Sequence, residues 1–263
     1  LEPFPNFRFA YKINDDNKLS LFYNRRIDRP NEVDIRIFPK YDDAEIIKVG
    51  NPALRPQFTN TIELAYKTTW ETGSLYNAIY HRMSNVTITR ISSTTPPSNL
   101  IYATFQNVNK SYNSGVEIIY AQEVSKKYKF SINLNGYKNQ IDAFSVENKY
   151  PTTHLFSAAK QEIFSCNLKL NNTFHFAKNI DAQLTAIYLA PDIIPQGKIN
   201  SRFSLDVGIK KLIQKSKGEL FFNATDLLNT MITKKEIKGQ GFIYTSNDYY
   251  ETQLLRVGYS YKF

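Results

Sequence analysis

The chain ends Glu251-Thr252-Gln253-Leu254-Leu255-Arg256-Val257-Gly258-Tyr259-Ser260-Tyr261-Lys262-Phe263. Leu255, Val257, Tyr259, Tyr261 and Phe263 fall on one face of an extended strand, and Arg256, Gly258, Ser260 and Lys262 on the other. A water-soluble antiparallel sheet alternates in the same way, but its apolar face points at a core and its last residues fray. Here the apolar face persists to a final aromatic residue. A closed sheet in lipid has that need, because every backbone N–H and C=O at membrane depth must be paired.

The same period of two recurs upstream. Phe7, Phe9, Tyr11 and Ile13 alternate with Arg8, Ala10 and Lys12, and the turn Asn14-Asp15-Asp16-Asn17 leads to Leu19, Leu21 and Tyr23, a hairpin. Residues 27–57 are a long connection, punctuated by Pro30, Pro39, Pro52 and Pro56. Ile62, Leu64 and Tyr66 resume the pattern up to Trp70 and the turn Glu71-Thr72-Gly73. A strand is expected over 74–91, then a polar loop with Pro96 and Pro97, then a strand of about twenty residues around 106–122. Tyr128, Phe130, Ile132 and Leu134 follow Ser125-Lys126-Lys127, and a second long loop covers 142–161. Phe164, Cys166, Leu168 and Leu170 form the next apolar face, and Ala177-Lys178-Asn179 turns the chain into Ile180, Ala182, Leu184, Ala186 and Tyr188. Phe203, Leu205, Val207 and Ile209 come next, then a turn at 214–217, then Leu220, Phe222 and Ala224. A last loop around 230–240 precedes the terminal strand.

The count is about eleven strands, with no helix of 3.6 period. Connections alternate short and long, the asymmetry of an outer-membrane barrel with tight periplasmic turns and longer extracellular loops. The expected fold is all-β, an antiparallel up-and-down transmembrane β-barrel. An odd number of strands cannot close such a sheet, because the first and last would meet in parallel. With no signal peptide before Leu1-Glu2-Pro3-Phe4, residues 1–263 are expected to be the C-terminal part of a larger barrel. Twice eleven is twenty-two, a strand number found in plugged outer-membrane transporters.

Composition agrees. Tyr and Phe number 18 each, and Tyr-rich composition suits interfacial girdles. Mean hydropathy is −0.42 and no run of about 18 apolar residues occurs, which excludes a transmembrane helix but not transmembrane strands, half of whose residues are polar. The net charge of +9 is scattered over Arg8, Lys12, Lys67, Lys129, Lys169 and Lys210, each on the polar face of a different strand, which argues against a nucleic-acid partner. The lone Cys166 forms no intramolecular disulfide and is expected to face lipid.

Phe4-Pro5-Asn6-Phe7-Arg8-Phe9-Ala10-Tyr11-Lys12 and Tyr23-Asn24-Arg25-Arg26-Ile27-Asp28-Arg29-Pro30 resemble the mid-barrel region of TonB-dependent-receptor-like proteins of the Bacteroidetes type. Gly50-Asn51-Pro52-Ala53-Leu54-Arg55-Pro56-Gln57 is similar to that family's barrel motif. Phe105-Gln106-Asn107-Val108-Asn109-Lys110 and Asn223-Ala224-Thr225-Asp226-Leu227-Leu228-Asn229-Thr230 fit it too. The span from Arg256 through Gly258 and Tyr261 to Phe263 resembles the C-terminal assembly signal of outer-membrane barrels. The resemblance implies energised import of a ligand through a barrel plugged by an N-terminal domain. It also implies a bacterial outer-membrane location. The partners implied are outer-membrane lipid and lipopolysaccharide, the barrel assembly machinery, the protein's own plug, the TonB energy complex and a surface lipoprotein.

Physically these motifs read as structural. Gly50, Asn51, Pro52 and Pro56 end a loop and set the start of a strand, with Gly50 free to take a positive φ. Asp226 and Asn229 cap a strand-to-loop turn. Trp70, Tyr66, Tyr23, Tyr188, Tyr259, Tyr261 and Phe263 suit a girdle. Glu63, Lys67, Asn133, Asn135, Asn167, Lys169, Asp181, Gln183, Asp206 and Arg256 would line the lumen. His81, His154 and His175 lie on different elements without ligand spacing, and no Gly-x-Ser-x-Gly or phosphate-cradling loop occurs. Neither an enzyme, a metal site nor a cofactor is expected, and no ligand-binding residue stands out. A barrel with a structural, assembly or surface-scaffold role is the alternative to import. A soluble β-sandwich binding module is the third reading, and its difficulty is the bare outward rows of Leu, Phe and Tyr.

Overall fold

The computed structural model describes residues 2–41, 45–94, 100–149, 152–177, 179–239 and 241–263. Pro96, Pro97, Lys178 and Gln240, named above in loops and turns, lie outside the described residues. The chain runs β1 (Asn6–Lys12), β2 (Asn17–Asp28), α1 (Glu32–Ile35), β3 (Ile46–Val49), β4 (Gln57–Trp70), β5 (Gly73–Asn85) and β6 (Ile88–Thr94). It continues through β7 (Ile101–Asn107), β8 (Ser111–Ser125), β9 (Tyr128–Ile141), β10 (Phe144–Asn148), β11 (His154–Ala158), β12 (Gln161–Phe176) and β13 (Ile180–Leu189). The last elements are β14 (Asp192–Ile194), β15 (Gly197–Ile199), β16 (Arg202–Ile213), β17 (Gly218–Thr225), β18 (Thr233–Gly239), β19 (Phe242–Asp248) and β20 (Leu254–Tyr261).

Eleven of these strands form one sheet in the order β1-β2-β4-β5-β8-β9-β12-β13-β16-β17-β20. Every neighbouring pair in it is antiparallel. Tight turns join its strands at one end, where the chain also finishes. Among the described residues, β1 and β20 each pair on one side only.

The register carries the alternation across the sheet. Tyr11, Leu19, Tyr66, Asn77, Ile118, Leu134, Leu168, Tyr188 and Phe203 stand in one row over nine strands. This face is bare: Phe9 is 62% exposed, Phe164 80% and Val257 80%. On β12 its apolar run extends from Phe164 to Phe176, interrupted by Asn172, which accepts a hydrogen bond from Tyr128 Oη at 2.8 Å. At about 3.3 Å per residue and a tilt near 45°, that run rises about 28 Å, the height of an outer-membrane apolar band. Cys166 lies on this same face. The opposite face is polar and internally bonded, with Tyr76 Oη donating to Glu63 Oε1 at 2.8 Å and Tyr80 Oη to Asn135 Oδ1 at 2.9 Å. No helix among the described residues is long and apolar enough to cross a membrane.

The packed core lies elsewhere. Ile91, Val108, Ile141, Phe144 and Phe156 form a buried cluster at the end carrying the long connections. These connections fold into a canopy of three small sheets, β3-β7-β6, β10-β11 and β14-β15-β18-β19.

The canopy corrects several expectations. The strand expected over 74–91 is two strands in different sheets, parted at Val86, whose φ of 58° breaks the ladder. The strand around 106–122 likewise divides between β7 and β8. The loop over 142–161 contains the hairpin β10-β11, and the loop over 230–240 contains β18, which pairs with β19 just beyond it. The connection at 27–57 holds β3 and α1, a four-residue helix with an Asn31–Asp34 capping box, too short to show a helical period.

Leu170 sits at mid-height on the bare face of β12, and Lys169 beside it faces inward. Leu170→Arg is expected to destabilise the folded full-length protein by ~2–4 kcal/mol, and Lys169→Gln by less than about 0.5 kcal/mol, in urea unfolding from lipid vesicles.

Candidate functional site

Three surfaces can carry function: the outward belt, the inward wall and the canopy. At the short-turn end the outward face bears a run of aromatic rings. Trp70 lies 5.9 Å from Tyr120, Tyr120 lies 5.7 Å from Phe130, and Tyr128 bridges Phe130 and Phe174 at 5.9 and 5.0 Å. The polar ends converge: Trp70 Nε1 and Tyr120 Oη both donate to Gln122 Oε1, each at 3.1 Å. Amphipathic rings with satisfied polar tips suit a membrane–water boundary.

The C-terminal residues divide between the two faces. Tyr261 and Phe263 point outward and meet edge to face at 5.4 Å. Arg256, opposite Asn223, and Gly258, opposite Phe221, point inward. Gly258 gives room to the Phe221 ring, whose Cζ would lie 2.2 Å from an added Cβ.

The inward wall holds all the lumen residues named from the sequence, spread over nearly the whole sheet instead of gathered at one point. At its short-turn end His175 Nδ1 lies 2.7 Å from Asp181 Oδ1, and Lys210 Nζ lies 3.6 Å from Asp181 Oδ2. Lys12, Lys18 and Lys67 stand in one row across β1, β2 and β4. The His81 and His154 rings are far from this network, bonded to Ser114 Oγ and Thr152 O.

In the canopy, two motifs that lie far apart in the chain meet. Asn51 Nδ2 donates to Phe105 O at 3.1 Å and to Gln106 Oε1 at 3.2 Å. Arg55 N donates to Asn107 Oδ1 at 2.8 Å, and Asn107 Nδ2 donates back to Arg55 O at 2.9 Å. Gln106 Nε2 then donates at 2.7 Å to Asn148 Oδ1, on a side chain with no solvent exposure. A second two-way amide clasp links Gln196 to the backbone of Ser92, at 2.6 and 2.8 Å. Pro52 lies in the turn after Asn51, and Pro56 immediately precedes β4. Gly50 does not take a positive φ, contrary to expectation. What it provides is close approach, since an added Cβ would lie 2.4 Å from Arg36 N.

Asp226 follows β17 and is 2% exposed. Its carboxylate accepts from Thr230 N at 2.9 Å, Met231 N at 3.1 Å and Thr252 Oγ1 at 2.6 Å. Burial pushes its pKa up, but the Thr252 hydroxyl and the two backbone N–H groups prevail and hold it below the usual carboxylate range. Asn229 donates its own N–H to Asp226 O and takes a φ of 51°, completing the turn. Gln196, Ser92 and Asn148 carry no local sequence signal, because their partners are tens of residues away.

The sequence profile of the outer membrane protein beta-barrel family matches residues 1–261. No curated protein matches the chain. Among solved structures, the chain is similar to a mutant of the ferric enterobactin receptor of Pseudomonas aeruginosa, with TM-score 0.55, 11% identity, and coverage of 93% of this chain and 38% of that one. It is also similar to the FrpB iron transporter from Neisseria meningitidis, with TM-score 0.57, 12% identity, and coverage of 99% and 38%. The copper transporter OprC gives TM-score 0.59, 11% identity, and coverage of 96% and 38%. The chain thus spans 38% of the length of each of these structures. At such identities the likeness speaks for the fold.

A depressed Asp226 pKa contributes stability that is fully present above the unfolded value of about 3.9 and is lost as pH falls through the lower folded value. Protection against hydrogen exchange at the Thr230 and Met231 amides, taken relative to the intrinsic rate at each pH, is therefore expected to fall on acidification below about pH 4 in the wild type. Asp226→Asn should exchange faster at neutral pH, by the ~1.5–3 kcal/mol of a charge-assisted cap, and respond little to acid. Gly50→Ala should cost ~1–3 kcal/mol of canopy stability, read as earlier proteolysis of the loops.

Proposed function

Since this chain belongs to the outer membrane protein beta-barrel family, we propose that it forms part of the wall of a larger receptor barrel that imports a ligand across the outer membrane. In this reading residues 1–263 are the C-terminal part of a barrel of about twenty-two strands, of Bacteroidetes type. An N-terminal plug fills the lumen, and a TonB-type complex supplies the energy. The observation that carries it is the direction of the edge strands. β1 and β20 both run toward the short-turn end, and each leaves one edge unpaired among the described residues. Antiparallel closure between them is impossible, and a second copy of the same eleven strands meets the same parallel mismatch. An odd number of further strands completes the ring, and every edge in the hydrocarbon needs such a partner.

The polar inward face supports a lumen in contact with a plug. Arg256, Gly258, Tyr261 and Phe263 serve assembly in this reading, with Tyr261 and Phe263 presented outward for the assembly machinery and then for lipid. Gly50, Asn51, Pro52 and Pro56 act as a structural clasp. The stitched canopy favours a second reading, a barrel that displays a fixed surface scaffold without import.

Growth under iron or copper limitation decides between the two. Strains lacking the full-length gene, or lacking the energy complex, are expected to grow more slowly on at least one chelated metal, with no further loss when both are removed. Equal growth and equal metal accumulation in all strains would overturn import and leave the scaffold.

A further inference from the structure

The canopy encloses a cavity of about 330 Å³ between the β3-β7-β6 sheet and the β14-β15-β18-β19 sheet. Its walls are joined by the Gln196–Ser92 clasp. Among the described residues, three cations line it, Lys48, Arg90 and Lys235, and one acid, Asp248. Tyr244 and Tyr250 complete the lining used here. Lys235 Nζ is bound to Asp248 Oδ2 at 2.6 Å, which accounts for one charge of each sign.

Arg90 differs from the other two cations. Its guanidinium lies over the Phe105 ring at 4.8 Å and makes no hydrogen bond or ion pair among the described residues. A guanidinium resting over an aromatic ring can keep its N–H donors free for a carboxylate, which it receives by two parallel hydrogen bonds. Lys48, on β3 at the other edge of the same sheet, lines the same space and has a partner of its own.

We propose that this cavity binds a small organic oxyanion, a di- or tricarboxylate, with one carboxylate on Arg90 and another reaching Lys48 and Lys235. The tyrosines then flank the carbon skeleton and offer hydroxyl donors. The site lies outside the lumen wall and does not depend on whether the barrel imports anything.

The test is calorimetric titration of the detergent-purified full-length protein at fixed ionic strength, with citrate and inorganic phosphate as probes. Citrate is expected to bind one to one and more tightly than phosphate. Arg90→Ala should weaken citrate by about tenfold or more, the loss of a charge-assisted pair, and Arg90→Lys by a smaller factor because the charge stays and the fork is gone. Lys198→Ala, whose ammonium faces Glu236 at 3.6 Å outside the cavity, should leave affinity unchanged. Retention of heat-modifiable gel mobility certifies the fold of each variant, and Arg90→Lys carries the test if Arg90→Ala does not fold. No citrate binding to the wild type, or an equal loss from Lys198→Ala, overturns the site. Phosphate binding as tightly as citrate overturns the carboxylate assignment. Binding in detergent needs neither a plug movement nor an energy supply, so its failure is distinguishable from a failure of import.

Discussion

A backbone amide in hydrocarbon has nothing to bond to except another backbone, and the wall of this protein follows from that constraint. Strands must be long enough to cross, each must be paired on both sides, and the only side chains free to vary are those that leave the sheet plane. The ten antiparallel ladders supply the pairing, and β12, the longest strand, runs sixteen residues. The outward rows turn the usual burial pattern inside out. Phe164 and Val257 are left bare, because lipid and not protein is their solvent.

Beyond the apolar band the solvent changes, and so does the way the chain holds itself together. The canopy has what a soluble protein needs, a buried apolar cluster around Ile91 and Phe144 and buried polar side chains such as Gln106 and Asn148 that bond to each other. Side-chain amides do much of the joining. An Asn or Gln terminus offers a donor and an acceptor together, so Asn107 and Gln196 can pair with a backbone as another strand would. One chain thus builds two structures under opposite rules, and the boundary between them falls near Val86 and Asn107, where the ladder passes from wall to canopy.

The wall was legible because its rule is local. Tyr128, Phe130, Ile132 and Leu134, or Phe203, Leu205, Val207 and Ile209, declare strand and face within eight residues. The Asp226 cap was legible for the same reason, since Thr230 and Met231 are its near neighbours. The canopy was not, because alternation reads alike in a barrel strand and in a short soluble strand, and the sequence carries no mark of which sheet a strand will join. The motif around Asn51 and the motif around Gln106 were each visible, but not that they touch. The cavity around Arg90 depends on four separate connections, and nothing near Arg90 in the chain announces Lys48 or Tyr244.

The Gln196–Ser92 clasp closes a span of 104 residues, whereas each wall ladder joins a strand to the next wall strand along the chain. Hairpins form early because little chain entropy is lost in closing them, and a contact over such a span becomes affordable only after the intervening chain has been shortened by folding. Between Ser92 and Gln196 lie β8, β9, β12 and β13, four wall strands that must pair before those two residues can meet. One amide thus ties the canopy to the register of four wall strands, and a slip by one residue in any of them would move Ser92 relative to Gln196.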